Sequence, residues 1–495
     1  MANGKIRVLR ALMLLASFAG IGIVSGDGGV RHGEALEEAP IVRIGIAGSS
    51  GVRQNMDLVN QKMEKVSMEK IGVKVQLVAT GQESGDNNYK NRQLGLDIYG
   101  MYYSAFCSGL QKHLLLDMSS YLDKAPALRQ VLEEKADLED LGEEGVYCIP
   151  KPLSDLHSNG ALLNRDCVER YHFDVSKIHK PEDLEPFFDV ILEQEPDMIP
   201  WALEKRGNSV VERSPVADIL DGCLAGILYE DNVPVVCNVF ETEAYEEEVY
   251  LAKRWQEKGY LAKDVLTCIE TGKNLVVAGD AFAAECVIKP DETQYDESMY
   301  GEQVIVVPFD KRPVLDTEDD WVYVWGVSAG TRYPEEAVKA LDLLYSDPEV
   351  LNLVLYGVEG ENYEVQEDGS FTFKEGETRD TASYFNSSKW KFNTLKAGVW
   401  DGMSQDLEGD FQVFEDSAIR SAAYGFWLDE SRITVDLTRL RQIVSAYTAR
   451  LNVGLCDTES CLKEFHKMLR EAGSEQLVYE VQQQLDEWRM TEKEQ

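Results

Sequence analysis

Residues 145–201 read GVYCIPKPLSDLHSNGALLNRDCVERYHFDVSKIHKPEDLEPFFDVILEQEPDMIPW. The stretch opens extended, runs into a strand over residues 160–163 and stops at the polar Asn164-Arg165-Asp166. A short helix around residues 167–171 and a turn come next. An amphipathic helix is then expected over residues 181–195, with Pro181 in its first turn, where the missing N–H would have no partner anyway. Glu182 and Asp183 sit where acids complement the positive end of the helix dipole. Strands and helices in this alternation belong to an α/β protein.

The same alternation starts the chain's ordered part. Val42, Ile44 and Ile46 alternate as a half-buried strand. Residues 53–70 carry helical spacing through Met56, Val59, Met63 and Val66, and Val73, Val75 and Leu77 alternate again. Strand, helix, strand at this length is a right-handed crossover unit. Residues 96–99 form a third strand, followed by the polar-aromatic patch Tyr102-Tyr103-Ser104, a helix near residues 108–113 and the run Leu114-Leu115-Leu116-Asp117. Further on, helices are expected around residues 243–258 and a helix with a strand over residues 271–288. Residues 321–328 form a short apolar strand, and helices start at Pro334 and at Asp347-Pro348, the latter ending at Gly357. Residues 359–398 are polar and rich in Gly, Ser, Thr and aromatics. Three helices close the chain over residues 431–451, 457–471 and 474–488, with Gly473 ending the second and Ser474 capping the third.

The chain has 495 residues, enough for two or three domains, and an apolar fraction of 44% with 8 Trp, 22 Tyr and 16 Phe supplies cores and spare aromatics. Its 49 basic and 88 acidic residues give a formal charge of -39, which disfavours nucleic acid and anionic membranes as partners. Lys5, Arg7 and Arg10 precede an apolar run over residues 11–24, too short for a comfortable membrane span, and Val24-Ser25-Gly26 offers small residues for cleavage. This is the layout of a secretory signal peptide, followed by an acidic tether to residue 40. No later segment is apolar for long enough to span a bilayer. Nine cysteines include no CxxC pair; Cys456 and Cys461 are the nearest two, and a disulfide between them and core packing of Cys461 are both open. Cys223, Cys237 and Cys286 stand in apolar strings and read as small buried hydrophobes.

Catalytic motifs fare poorly. Gly326-Val327-Ser328-Ala329-Gly330 is a literal GxSxG, but Thr331, Arg332 and Tyr333 separate the serine from a helix that begins at Pro334, whereas a nucleophile elbow starts its helix at the serine. The only histidine downstream is His466, within a predicted helix. Six histidines form no compact metal spacing, and no cofactor or metal is expected. Gly48-Ser49-Ser50-Gly51 lacks the lysine and spacing of a phosphate loop; a turn facing a ligand and a plain flexible turn fit it equally. No carboxylate pair has positional support for glycoside hydrolysis.

Residues 325–363, WGVSAGTRYPEEAVKALDLLYSDPEVLNLVLYGVEGENY, the closing run Gln482-Gln483-Gln484-Leu485-Asp486-Glu487-Trp488 and the element Trp390-Lys391-Phe392-Asn393 closely resemble one branch of the bacterial extracellular solute-binding proteins of ABC transporters. That branch is the maltose-binding-like family 1, with an extra C-terminal domain of unnamed function. The resemblance covers nearly the whole chain from about residue 41 to Trp488. It implies a two-lobed periplasmic-binding-protein fold of type II with hinge crossings and a helical C-terminal extension. The implied plan is a signal peptide (1–26), a tether (27–40), lobe 1 (41–155), lobe 2 (156–320), a return to lobe 1 (321–357) and a C-terminal segment completing lobe 2 (358–495). Residues 145–201 then become a lobe crossing. Members in monoderm bacteria usually carry a lipid-anchored Cys after the signal; Asp27 stands there, so a freely secreted form or an uncleaved anchor is expected.

The resemblance implies an extracellular monomer that captures a sugar or oligosaccharide, breaks no bond and delivers its ligand to ABC permease subunits. Aromatic faces stack on pyranose rings while acids and amides take hydrogen bonds from hydroxyls. Candidates at strand ends and hinge-side loops are Tyr102, Tyr103, Ser104, Asp155, His157, Trp201, Trp325, Glu361 and Trp390, whereas Trp255 and Trp488 read as core. A secreted hydrolase using Ser328 and a peptide-binding or sensing protein on the same fold are the alternatives.

Overall fold

The structure, a computed structural model, describes residues 39–47, 55–80, 93–135, 145–153, 155–203, 217–262, 265–268, 270–310, 312–317, 322–379, 381–386 and 388–493. The expected signal peptide, nearly all of the tether and the turn at residues 48–51 lie outside the described residues. The chain divides into two units, Met1–Asp155 with Glu318–Asp401 and Leu156–Thr317 with Gly402–Gln495. Nine strands build the main sheets: β1 (Ile41–Ala47), β2 (Lys74–Thr80), β3 (Ile98–Tyr102), β4 (Ile149–Pro150), β5 (Ser158–Asn164), β6 (Ile199–Ala202), β7 (Ala281–Ile288), β8 (Val304–Pro308) and β9 (Tyr323–Val327).

In the first unit the sheet order is β2-β1-β3-β9-β4. Strands β2 and β3 run parallel to β1, and β9 runs antiparallel to β3 and β4. The alternation of Val42, Ile44 and Ile46 is obeyed, with all three buried and Arg43 exposed between them. Helix Met56–Ile71 joins β1 to β2 and buries Val59, Met63 and Val66; it ends at Gly72, whose φ of 69° is the left-handed conformation that glycine adopts without a Cβ clash. After β9 come helices Pro334–Ser346 and Pro348–Leu355, with Asp347 between them. The Asp347 carboxylate accepts the Val350 N–H at 3.1 Å and lies 2.7 Å from the Lys70 ammonium at the end of helix Met56–Ile71.

Residues 358–401 cluster with this first unit and not with the C-terminal segment to which the sequence assigns them. The reason is aromatic. Tyr356 at the end of helix Pro348–Leu355 packs on Trp400 and Phe371 (ring centroids 5.2 and 5.6 Å), and Tyr363 and Phe385 close the cluster. The stretch reads as polar because its rings are widely spaced along the chain and meet only in three dimensions.

In the second unit the main sheet order is β8-β5-β7-β6. β5 is buried along its whole length, and Asn164 at its end caps helix Arg165–Arg170 by accepting the Cys167 N–H at 3.0 Å. The expected single helix over residues 181–195 is a 3-10 turn, Pro181–Leu184, followed by helix Glu185–Gln194. Pro186 explains the break, since it has no N–H to give the Glu182 carbonyl. Helix Glu243–Lys258 places Trp255 against the sheet-side core of Phe188, Trp201, Tyr260 and Phe282. Its other residues, Tyr245 and Val249, face a second core with Phe465, Leu477, Val481 and Leu485. That core holds the C-terminal helices Leu437–Leu451, Thr458–Glu471 and Ser474–Lys493. The first begins at residue 437, not 431, because Asp436 is its cap. Cys456 and Cys461 are both free thiols packed on this core, so no disulfide joins them, and burial pushes the Cys456 thiol up to about 12.

Candidate ligand-binding site

One end of the first unit's sheet gathers aromatic rings from segments far apart in sequence. Tyr102 closes β3 and Tyr323 opens β9, and the antiparallel register sets them opposite one another. Their rings meet edge to face at 5.6 Å. The Tyr323 ring lies across Gly100, where a Cβ would come within 2.4 Å of it, so only glycine at that position lets the ring lie down. Two residues along β9, on the same side of the pleat, Trp325 packs on Tyr323 at 5.9 Å and on Phe392 at 5.4 Å. Its indole N–H donates to the Lys391 carbonyl at 3.1 Å and so anchors the 3-10 turn Lys389–Lys391 to the sheet. That turn presents Trp390, half-buried, with its ring 5.3 Å from Tyr323 and 6.2 Å from Tyr102.

Two buried lysines attend the rings. Lys151 follows β4 and is 0% exposed; its backbone N–H donates to the Tyr323 carbonyl at 3.0 Å. Its ammonium lies 2.6 Å from the Asp155 carboxylate and 5.3 Å from the Trp390 ring. Lys391, 7% exposed, places its ammonium 4.8 Å from the Tyr323 ring and 5.2 Å from that of Trp390. Burial pushes the Lys391 ammonium down to about 8, and burial, then the nearby Tyr102, hold the Tyr323 hydroxyl well above its ordinary value. Tyr102 keeps 39% of its surface exposed. The arrangement offers an accessible aromatic face beside fixed cations and a carboxylate. That is chemistry for holding a polar, partly apolar ligand.

Three comparisons bear on the fold and the family. Residues 422–490, the C-terminal helices of the second unit, match a family model described as a domain of unknown function, DUF3502. A carbohydrate ABC transporter substrate-binding protein of Streptococcus pneumoniae serotype 4 (strain ATCC BAA-334 / TIGR4) is 23% identical over 96% of this chain and 96% of its own. The chain is similar to that substrate-binding protein over nearly its whole length. The fold agrees. The N-glycan transport solute-binding protein NgtS from Streptococcus pneumoniae, solved with Man1GlcNAc, superimposes on this chain with a TM-score of 0.74 at 20% identity, covering 90% of this chain and 99% of NgtS. The S. pneumoniae ABC-transporter substrate-binding protein FusA, solved with kestose, gives a TM-score of 0.61 at 15% identity over 91% and 100% of the two chains.

The structure sorts the candidates taken from sequence. Tyr102, Trp390 and Asp155 are brought together in the cluster just described. Tyr103 and Ser104 begin helix Tyr103–Gln111, and their side chains lie outside the described residues. Trp325 is 1% exposed and serves the cluster from behind, as a packing and anchoring residue. Trp201 does not reach a surface. It is 1% exposed and wedged between Phe188 and Trp255 at 6.1 and 5.5 Å, so it is core. His157 belongs to the second unit, bridged to Val314, and Glu361 is exposed in the turn after Gly357. Trp255 is fully buried as expected, and Trp488 packs half-buried on Phe426. Sequence reasoning passed over Tyr323, Lys151 and Lys391. Only the flanking lysines of Lys389-Trp390-Lys391 gave a local signal, and lysines in a short turn read as solvated.

Ser328 is likewise accounted for structurally. Its N–H donates to the Asp97 carbonyl at 2.8 Å, and its hydroxyl oxygen accepts the Gly330 N–H at 3.2 Å. His466 sits in the second unit with Nε2 2.7 Å from the Phe240 carbonyl. Among the described residues no group of three or more His, Cys, Asp or Glu could hold a metal ion, and no helix is long and apolar enough to cross a membrane. Elsewhere in the second unit Asp218 is buried, accepts the Thr317 hydroxyl at 3.0 Å and lies near Asp316; burial, then that neighbouring carboxylate, push it up to about 7.

Proposed function

We propose that this solute-binding protein captures a sugar or oligosaccharide outside the cell and delivers it to the permease of an ABC importer. The observation that carries the reading is the aromatic face of Tyr102 and Trp390, fixed by Tyr323 and Trp325 and bordered by Lys151 and Asp155. A pyranose ring laid on such a face buries its C–H side against the rings, while its hydroxyls reach the charged border. NgtS and FusA, solved with Man1GlcNAc and kestose, support the ligand class. The protein breaks no bond: Ser328 is occupied as a backbone acceptor at a strand end, and its helix starts too late to serve an oxyanion. The basic, apolar N-terminus is the export signal, and the mature chain acts as a monomer, freely secreted or held by an uncleaved anchor.

The test is a thermal-shift screen of the mature chain against mono- and oligosaccharides, with peptides as controls. A ligand at a hundred times its Kd adds about 2.7 kcal/mol to stability, a shift that is easily read. Tyr102→Ala and Trp390→Ala should lose the shift, and Ser328→Ala should keep it. A shift with peptides and none with any glycan would refute the ligand class, and ester turnover abolished by Ser328→Ala would refute the non-enzymatic reading.

A further inference from the structure

The two lysines beside Trp390 are not equivalent. Lys151 has a counter-ion, with its ammonium 2.6 Å from Asp155. Lys391, equally interior, has none: among the described residues no carboxylate pairs with its ammonium and no hydrogen-bond acceptor holds it, so its neighbours are the π faces of Tyr323 and Trp390. A ring face compensates a desolvated ammonium only in part. A neutral ligand settling on Tyr102 and Trp390 would strip more water from this cation and return no charge. An anionic ligand would supply the missing counter-ion, and pairing a cation that is already largely desolvated leaves most of the solvation cost on the ligand's side.

The backbone that carries the cation is held in place. The Trp325 indole holds the Lys391 carbonyl at 3.1 Å, and the turn closes through Phe392 N–H to the Lys389 carbonyl at 2.9 Å. Lys151, Asp155 and Lys391 together leave one positive charge beside the rings of a chain whose formal charge is -39. The distant acids do little against it, because salt at physiological strength screens charges beyond about 8 Å.

We infer that the ligand of this protein is an acidic sugar, whose carboxylate pairs with the Lys391 ammonium while its ring lies on Tyr102 and Trp390. The inference rests on the sugar-capture reading and narrows it to carboxylate-bearing glycans, of the hexuronate or the sialate type.

Calorimetric titration of the mature chain with matched oligosaccharides tests it, using a neutral-terminated, a hexuronate-terminated and a sialate-terminated member of one size. The wild type should bind one of the two acidic members at least tenfold more tightly than the neutral one, and which of them it prefers names the source. Lys391→Met should erase that preference by bringing acidic binding down to the level of the neutral member, while Lys391→Arg should retain it. Far-ultraviolet circular dichroism and a melting curve establish that each variant is folded. Raising the pH past about 8 should weaken acidic binding in the wild type and not in Lys391→Met. The groups facing Lys391 across that range are Tyr323 and Trp390, with the Lys151–Asp155 pair beyond Trp390 and Lys389 on the same turn. Equal affinity for neutral and acidic members, or an unchanged preference in Lys391→Met, overturns the inference and leaves sugar capture standing. Failure to bind any of the three overturns both.

Discussion

Removing the indole of Trp325 takes away a fully enclosed ring and leaves the Lys391 carbonyl without its donor, whereas removing that of Trp390 trims a half-buried one. Trp325→Ala should therefore cost about 3–5 kcal/mol of stability and loosen the site with it. Trp390→Ala should cost no more than about 1–2 kcal/mol while abolishing ligand binding. Urea unfolding and ligand titration on the same two variants separate these effects; equal losses of stability would make Trp390 a packing residue like its neighbour. Both tryptophans looked alike in sequence, and Trp201 looked the same again. β9 is buried on both faces, so no alternation says which residue faces a ligand, and β6 hides Trp201 in the same way. Tyr102 was legible because it ends a strand beside polar residues. Lys391 was not, because its burial depends on Tyr323, a residue from another segment altogether.

Helix boundaries followed local chemistry wherever a cap was present. Asn164, Asp436, Asp457 and Asp347 each accept a backbone N–H in the first turn of the helix they precede. Asp347 has a second duty through Lys70, whose ammonium it holds above its ordinary value. Asp347→Ala should lose about 1–2 kcal/mol, mostly from the cap, since exposed ion pairs contribute at most about 1. Asp347→Asn keeps a capping oxygen and drops the charge, so thermal unfolding should place it near the wild type. If it unfolds with the alanine variant, the Lys70 pair carries the effect instead. Elements misread from sequence failed for physical reasons that local pattern does not contain. The helix expected from residue 181 breaks at Pro186, and the stretch after residue 357 hides an aromatic core.

At the scale of the molecule, pH acts through Asp218 in the second unit. Its folded value, raised to about 7 from 3.8, means that the native state keeps a proton that the unfolded chain has already lost. The native state binds more protons in that window, so the contribution of Asp218 to stability is largest below the unfolded value and falls as pH rises from about 4 to 7. Asp218→Asn removes the titration and keeps an acceptor for Thr317. Its stability should exceed that of the wild type at pH 8, by on the order of 2–4 kcal/mol, and the two should converge near pH 4. Parallel curves from chemical denaturation across that range would show that Asp218 is not the group responsible.

The division of the chain also has a consequence in time. Neither unit is contiguous: β3 must wait for β9, its neighbour in the sheet, and the aromatic core behind β9 closes only with Trp400. The second unit is interrupted in turn and completes its helical core with its last segment. A ribosome therefore releases long stretches of this protein before either unit can finish folding, and closing such distant pairings is slow. For a protein proposed to be exported, that delay is useful. The order of synthesis itself keeps the chain loose until its last segments are made.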